Sequence, residues 1–205
     1  MSPTKATKTR IEKDSMGEMQ VPADVLYGAS TQRAVLNFPI SGRPLPFELI
    51  RAYAMLKAAC AGVNAELGRL SKQRATAIVK ACRKIEAGLE EHGGWARHFP
   101  VDVFQTGSGT STNMNVNEVV ANLVCLERGA PIGSSKNAEY LDKGGVHPND
   151  HVNMGQSSND TFPTAMNVSA TMAIHRDLLP AVRATAEALE AKAKAWDKIV
   201  KIGRT

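Results

Sequence analysis

The 205-residue sequence is poor in the features that mark many common functions. It has no run of about 18 apolar residues without charge, which argues against a membrane-spanning helix. The opening MSPTKATKTRIEKDS carries positive charge but no apolar block after it, so no secretory leader is expected. Aromatic residues make up only 5%, so the core is expected to be aliphatic. No basic run is interleaved with aromatics, and nucleic acid is not an expected partner. The three cysteines, Cys60, Cys82 and Cys125, show no CxxC spacing and lie in apolar helical patterns. They read as reduced core thiols of a cytoplasmic protein rather than as reactive or metal-binding groups. A nucleotide phosphate loop, GxxxxGK[ST], is missing, and so is the third glycine of a dinucleotide fingerprint.

What is present is helix. The hydrophobic content is 43% and the net charge is +5, spread diffusely, a balance compatible with a small anionic ligand. RIEKDSMGEMQVPADVLYG suggests a small hairpin turning at Gly17. PFELIRAYAMLKAACAGVNAELG has helical spacing from Leu49 to Leu67, with Pro46 at its start and Gly68 at its stop. SKQRATAIVKACRKIEAGLEEHGG predicts a second helix, capped by Ser71 and ended by Gly93–Gly94. A third helix ends near Gly129, and residues 130–156 read as loop with short helices. From 157 onward the pattern is helical, punctuated by Pro163 and Pro180 near helix starts. ATAEALEAKAKAWDKIVKI suits close packing in a bundle. The expected organisation is a flexible tail over 1–9, a domain over 10–156, and an incomplete helical-bundle domain over 157–205.

Three segments carry candidate chemistry. In Gly107-Ser108-Gly109-Thr110, small residues precede a helix, leaving backbone N–H groups and two hydroxyls to face an anion. The bland alternative is a simple helix cap. Ser157-Ser158-Asn159-Asp160 repeats that chemistry before the next long helix, with an N-cap by Ser158 or Asp160 as its bland reading. His147-Pro148-Asn149-Asp150-His151 holds two histidines four apart. Pro148 between them and the lack of a nearby ligand set speak against metal and for a polar or anion-contacting loop. Asparagines at 113, 115, 117 and 122 crowd the opening of a buried-looking helix, although asparagine is a poor helix former. They read as supporting groups at the mouth of a site. From the residues alone, the chain is a helical protein with oxyanion sites.

TGSGTSTNMNVNEVVAN, VHPNDHVNMGQSSNDTFPTAMN and KIGRT, with RIEKDSMGEMQVPADVLYG and NFPIS near the start, resemble the class II fumarases of the fumarase/aspartase superfamily. The likeness runs from about residue 10 to residue 205 and covers the family's N-terminal portion. It implies a mainly α fold of L-aspartase type: a helical domain with a small β-hairpin, then the first part of a long bundle. It further implies a homotetramer, reversible hydration of fumarate to L-malate, and no metal or organic cofactor. By the resemblance, Ser108, Gly109, Thr110, Ser157, Ser158, Asn159 and Thr205 contact the dicarboxylate. His147, Pro148, Asn149 and Asp150 form a second dicarboxylate site at the entrance.

Two departures matter. The family's histidine after Gly-Arg-Thr and its later GSSxMPxKxN loop are absent from this sequence, so no complete catalytic set is present and the chain alone is expected to be inactive. The basic residue that commonly precedes the HPND loop is replaced by Gly144 and Gly145, with Lys143 nearest. The rival readings are an aspartate ammonia-lyase of the same fold, which more usually reads GAGT and QSTND, and a non-catalytic assembly fragment.

Overall fold

A computed structural model describes residues 8–204. It falls into two compact units, one ending at Met166 and the other beginning at Asn167. Residues 1–7 of the expected tail lie outside the described residues, and Thr9 already pairs with Pro22 in a strand. The first unit also runs past the 156 boundary read from the sequence, because Thr161 and Ala165 are buried in it.

The chain opens with an antiparallel hairpin, β1 Thr9–Asp14 and β2 Gly17–Pro22, joined through Ser15 and Met16. Asp14 Oδ1 accepts from the Met16 N–H at 2.8 Å. Gly17, at φ +115°, supplies the backbone shape that other residues rarely adopt. Arg10 ties the hairpin down by donating to the carbonyls of Pro22, Val25 and Tyr27.

Three short-linked helices follow: α1 Ala29–Asn37, α2 Phe47–Glu66 and α3 Lys72–Glu86. Pro46 caps α2, and Ser71 Oγ accepts from the Arg74 N–H to cap α3, as the sequence indicates. The far end of α3 differs from expectation. It stops at Glu86, well before Gly93, because Gly88 adopts a left-handed backbone. The Gly88 N–H then reaches the Ile85 carbonyl and the Leu89 N–H that of Lys84, a Schellman closure with Leu89 buried beneath it. Gly93 instead closes a one-turn 3-10 helix, Glu90–His92, and Gly94 opens a second, Trp95–Arg97.

The centre of the unit is α4, Thr110–Glu127. From Ser111 to Cys125 every residue except Met114 is buried. Ile50, Tyr53 and Ala54 of α2, Ile78, Ala81, Cys82 and Ile85 of α3, and Val116, Val119, Val120, Leu123 and Val124 of α4 make one aliphatic core. Burial pushes the Cys82 thiol up to about 12 and the Cys125 thiol to about 11, which keeps both protonated and inert. After α4 come a 3-10 turn at Ser134–Lys136, α5 Ala138–Asp142, and a π-helical turn at Pro148–Val152. The unit closes with the opening turns of α6, Ser158–Ala173. Pro163 lies inside α6 rather than at its start, so the Asn159 carbonyl lacks its helical donor.

The second unit holds the rest of α6, a π-helical turn at Ile174–Leu178, and α7, Leu179–Trp196, with Pro180 in its first turn as expected. No residue of α7 is buried, and Leu178, Val182, Leu189 and Trp196 recur along it at intervals of four and seven, exposed. No helix among the described residues is long and apolar enough to cross a membrane.

Two buried groups link the first unit to pH. His98 Nδ1 accepts from the Leu26 N–H at 3.0 Å and must stay neutral to do so; burial lowers its pKa from 6.5 to about 4. Asp102 accepts from the N–H groups of Phe104, Ser41 and Gly42 and from the Ser41 hydroxyl, which lowers its pKa from 3.8 to about 2. In both cases the unfolded chain takes up the proton first. Stability held above pH 6.5 therefore falls as pH drops to about 4 through His98, and again between 3.8 and about 2 through Asp102. Acid titration followed by circular dichroism is expected to show Asp102→Asn without the lower step and with the upper step intact.

Candidate functional site

Sequence reading names two hydroxyl-bearing helix starts separated by about fifty residues; folding brings them together. Ser108 Oγ and Thr110 Oγ1 are 2.8 Å apart, and Thr110 Oγ1 is 2.9 Å from Ser158 Oγ. The link crosses from the start of α4 to the start of α6. Gly109, at φ +69°, makes it possible. A Cβ there would lie 2.1 Å from the Phe162 ring, so only glycine lets the turn press onto the first turns of α6. Ser157 and Asn159 are exposed beside this contact. Thr205 lies outside the described residues.

One element of the sequence reading is revised. The first-turn N–H groups of α4 are not all available to an anion. The Gln105 Oε1 accepts from the Thr112 N–H at 2.9 Å, and Thr106 Oγ1 accepts from the Ser111 N–H at 3.4 Å. Side chains just before the turn cap the helix, so the hydroxyls of Ser108, Thr110 and Ser158 are the groups left facing outward. At α6 the Ser157 carbonyl accepts from the Asp160 and Thr161 N–H groups. Ser158 is the first helical residue, so neither Ser158 nor Asp160 is the residue preceding the helix.

The asparagines are connectors. Asn115 Nδ2 donates to the His98 carbonyl at 2.9 Å. Asn122 Nδ2 donates to the Leu26 carbonyl at 2.8 Å, while its Oδ1 accepts from the Gly133 N–H at 2.9 Å. Asn113 and Asn117 both donate to Asn153 Oδ1. Behind them sits a group that the sequence reading missed. Lys57 of α2 is fully buried, and its Nζ donates to Asn113 Oδ1 at 2.6 Å, Gln156 Oε1 at 2.8 Å and Asn153 Oδ1 at 3.0 Å. Burial pulls its pKa from 10.5 down to about 7. Tyr53, one helical turn earlier, donates to Asn113 Oδ1 and lies 2.8 Å from Thr161 Oγ1. The available signal was a lysine four residues after a tyrosine on the apolar stripe of α2.

Glu118, also missed, fixes the neighbouring wall. Its carboxylate accepts from the N–H groups of Gly28, Ser30 and Thr31 and from the Thr31 hydroxyl, at 2.7–3.1 Å. It caps α1 from the side of α4, where the helix dipole favours negative charge. A Cβ on Gly28 would fall 2.5 Å from Glu12 Oε2 and 2.9 Å from Glu118, hence the glycine.

The HPND segment forms the π-helical turn after His147. His147 Nδ1 accepts from the Asp150 N–H at 3.1 Å, and the His147 N–H donates to His151 Nδ1 at 2.8 Å. Pro148 is buried; Asn149 and Asp150 are exposed. Burial lowers the pKa of both histidines, with Asp150 opposing. A hollow of about 420 Å³ opens beside His147 and Asn149, and Lys13 and Lys136 line it. Lys143, the nearest base in sequence, turns instead to Glu139, 2.7 Å away. This hollow shares Asp14, Ser15, Ser30 and Met114 with one of about 280 Å³ that reaches Thr106 and Thr110.

Against this geometry, a family model described as Lyase matches residues 17–205. The chain belongs to the lyase family. The lyase chain is 53% identical over 198 residues to a class II fumarate hydratase of Thermus thermophilus, and 52% identical over 196 residues to one of Corynebacterium glutamicum. Each match takes in 96% of this chain but only 40% and 37% of those relatives. Among solved structures, the class II fumarase of Schistosoma mansoni aligns at a TM-score of 0.84 and 40% identity, covering 97% of this chain and 39% of that one. A fumarate lyase:delta crystallin of Brucella melitensis aligns at 0.83 and 40% identity, covering 97% and 43%. The mainly helical fold with its small hairpin is thus that of fumarate lyases.

Gly109→Ala forces a side chain into a left-handed turn and into the Phe162 ring. Urea unfolding is expected to show a loss of about 1–3 kcal/mol, as for other overpacked sites.

Proposed function

We propose that this lyase chain supplies part of a fumarate hydratase of class II, an enzyme that reversibly adds water to fumarate to give L-malate in the tricarboxylic acid cycle. The observation that carries the reading is the convergence of Ser108, Thr110 and Ser158 into one hydroxyl cluster at two helix starts. The names of its relatives support it. The chain spans about 40% of their length, so the complete reaction belongs to the longer protein.

The chemistry requires stabilisation of charge. Removing the proton next to a malate carboxylate places additional negative charge on that carboxylate. Preorganised hydroxyl and amide donors at that point lower the barrier without having to reorganise, and each is worth roughly 3–4 kcal/mol in comparable oxyanion sites. Ser108, Thr110, Ser157, Ser158 and Asn159 are the donors proposed here, with Gly109 shaping the turn and Thr205 completing the set. Within this chain no side chain is assigned as the base.

His147, Pro148, Asn149 and Asp150 form the proposed second dicarboxylate site, with Lys13 and Lys136 in place of the basic residue missing before the loop. The working assembly is proposed to be a cytoplasmic homotetramer. The exposed stripe of Leu178, Val182, Leu189 and Trp196 supports association, since apolar stripes of this kind are covered in working proteins. The domain division at 156 and 157 is retained as a proposal for the longer protein, in which the segment from Ser157 begins the bundle.

The test is turnover. Malate is expected to give fumarate with the longer protein and none with the 205-residue chain alone. In the longer protein, Thr110→Val or Ser158→Ala is expected to lower kcat roughly 10²–10³-fold, the loss typical of one oxyanion donor. Fumarate formed from aspartate and not from malate would replace this reading with an ammonia-lyase; turnover of malate by the short chain would contradict the division of the site.

A further inference from the structure

Lys57 is the most deeply buried cation of the first unit, at 0% exposure. Among the described residues it has no carboxylate partner. Its three hydrogen-bond acceptors are neutral amides, and burial keeps the thiols Cys60 and Cys82 protonated, so neither supplies a counter-charge. A buried ammonium without a counter-ion is costly, and a neutral methionine would satisfy packing at that point on α2 at less expense. The placement of its acceptors gives the charge a use. Asn113 lies in the first turn of α4, directly after the Gly107–Thr110 segment, and its own N–H bonds to the Gly109 carbonyl at 3.0 Å. Gln156 immediately precedes Ser157. Asn153 ends the π-helical turn that begins at Pro148. One ammonium therefore grips the roots of all three segments that carry the candidate ligand groups.

We propose that Lys57 is a positioning residue: its ammonium, held by the amide oxygens of Asn113, Asn153 and Gln156, sets the start of α4 against the start of α6 and places an unpaired positive charge behind the hydroxyl cluster, for which a dianionic ligand is the counter-charge. Lys57 acts through Asn113 and Gln156 and not by touching the ligand. Tyr53 braces the same junction from the next turn of α2 through Asn113 and Thr161. The ligand part of this inference rests on the dicarboxylate reading; the positioning part does not.

The experiment separates the two. In the 205-residue chain, Lys57→Met is expected to melt at the wild-type temperature or above it at pH 6, because a buried charge has been removed. Yet amide hydrogen exchange at Thr110–Asn113 and Ser157–Thr161 is expected to speed up at least tenfold, while exchange at Ile78 and Val120 does not change. Lys57→Arg, which keeps charge and donors, is expected to restore slow exchange at least in part. Unchanged exchange at both helix starts in Lys57→Met would overturn the positioning role. Should Lys57→Met fail to fold, the wild-type chain decides: side-chain amide resonances of Asn113, Asn153 and Gln156 are expected to move together with the Lys57 Cε resonance on pH titration, and independent behaviour would sink the proposal. In the longer protein, Lys57→Met is expected to raise the malate Kd at least tenfold, with Lys57→Arg nearer wild type. Normal malate affinity in Lys57→Met would refute the counter-charge role. If wild type binds no malate while the exchange pattern holds, the dicarboxylate reading fails and the positioning role stands.

Discussion

The structure depends on one constraint: α4 is buried on nearly all sides, yet it carries asparagines and a glutamate. A polar group taken out of water without a partner costs several kcal/mol. Most such groups on α4 reach a donor or acceptor on a different element, and in doing so fix that element; Asn117 Oδ1 is an exception, buried with no hydrogen-bond partner among the described residues. Glu118 caps α1, Asn115 holds the His98 segment, and Asn122 clamps Leu26 to Gly133. The helix works as a hub because its polarity is internal.

That constraint explains why the candidate site can be made of short, exposed side chains. Ser108, Thr110 and Ser158 are individually unremarkable surface hydroxyls. Their relative positions come from beneath, through Gly109 against Phe162 and through the amides around Lys57. A site that stabilises developing charge has to be rigid before the charge appears. Here the rigidity lies one layer below the groups that face the ligand, on α2, α4 and the loop from His147 to Gln156. The hairpin and α1 supply the other wall through Asp14, Ser15 and Ser30.

Much of the fold was legible in the sequence. Pro46, Gly68, Ser71 and Gly17 marked element boundaries correctly because each acts through its own backbone or a bond to a near neighbour in sequence. The end of α3 was misplaced because two glycine sites competed, and only the burial of Leu89 selects Gly88 over Gly93. The hydroxyl segments were legible as motifs, but their contact was not, since it joins residues forty-eight apart in sequence. Lys57 and Glu118 were missed for a related reason: each is a charged residue whose partners lie on other elements, and only the apolar surroundings of Lys57 on α2 hinted at its burial. Lys136 similarly reaches the hollow beside His147 by tertiary packing, while Lys143, closer in sequence, does not.

The central claim is that the polar side chains of α4 are structural ties and not tolerated defects in a buried helix. Urea unfolding of Asn113→Leu in the 205-residue chain tests it most directly, because leucine has the same branched heavy-atom skeleton and a better helix propensity. The account predicts a loss of about 2–3 kcal/mol, since Lys57 Nζ and Tyr53 Oη lose a shared acceptor in a buried setting. Stability equal to or above wild type would contradict it.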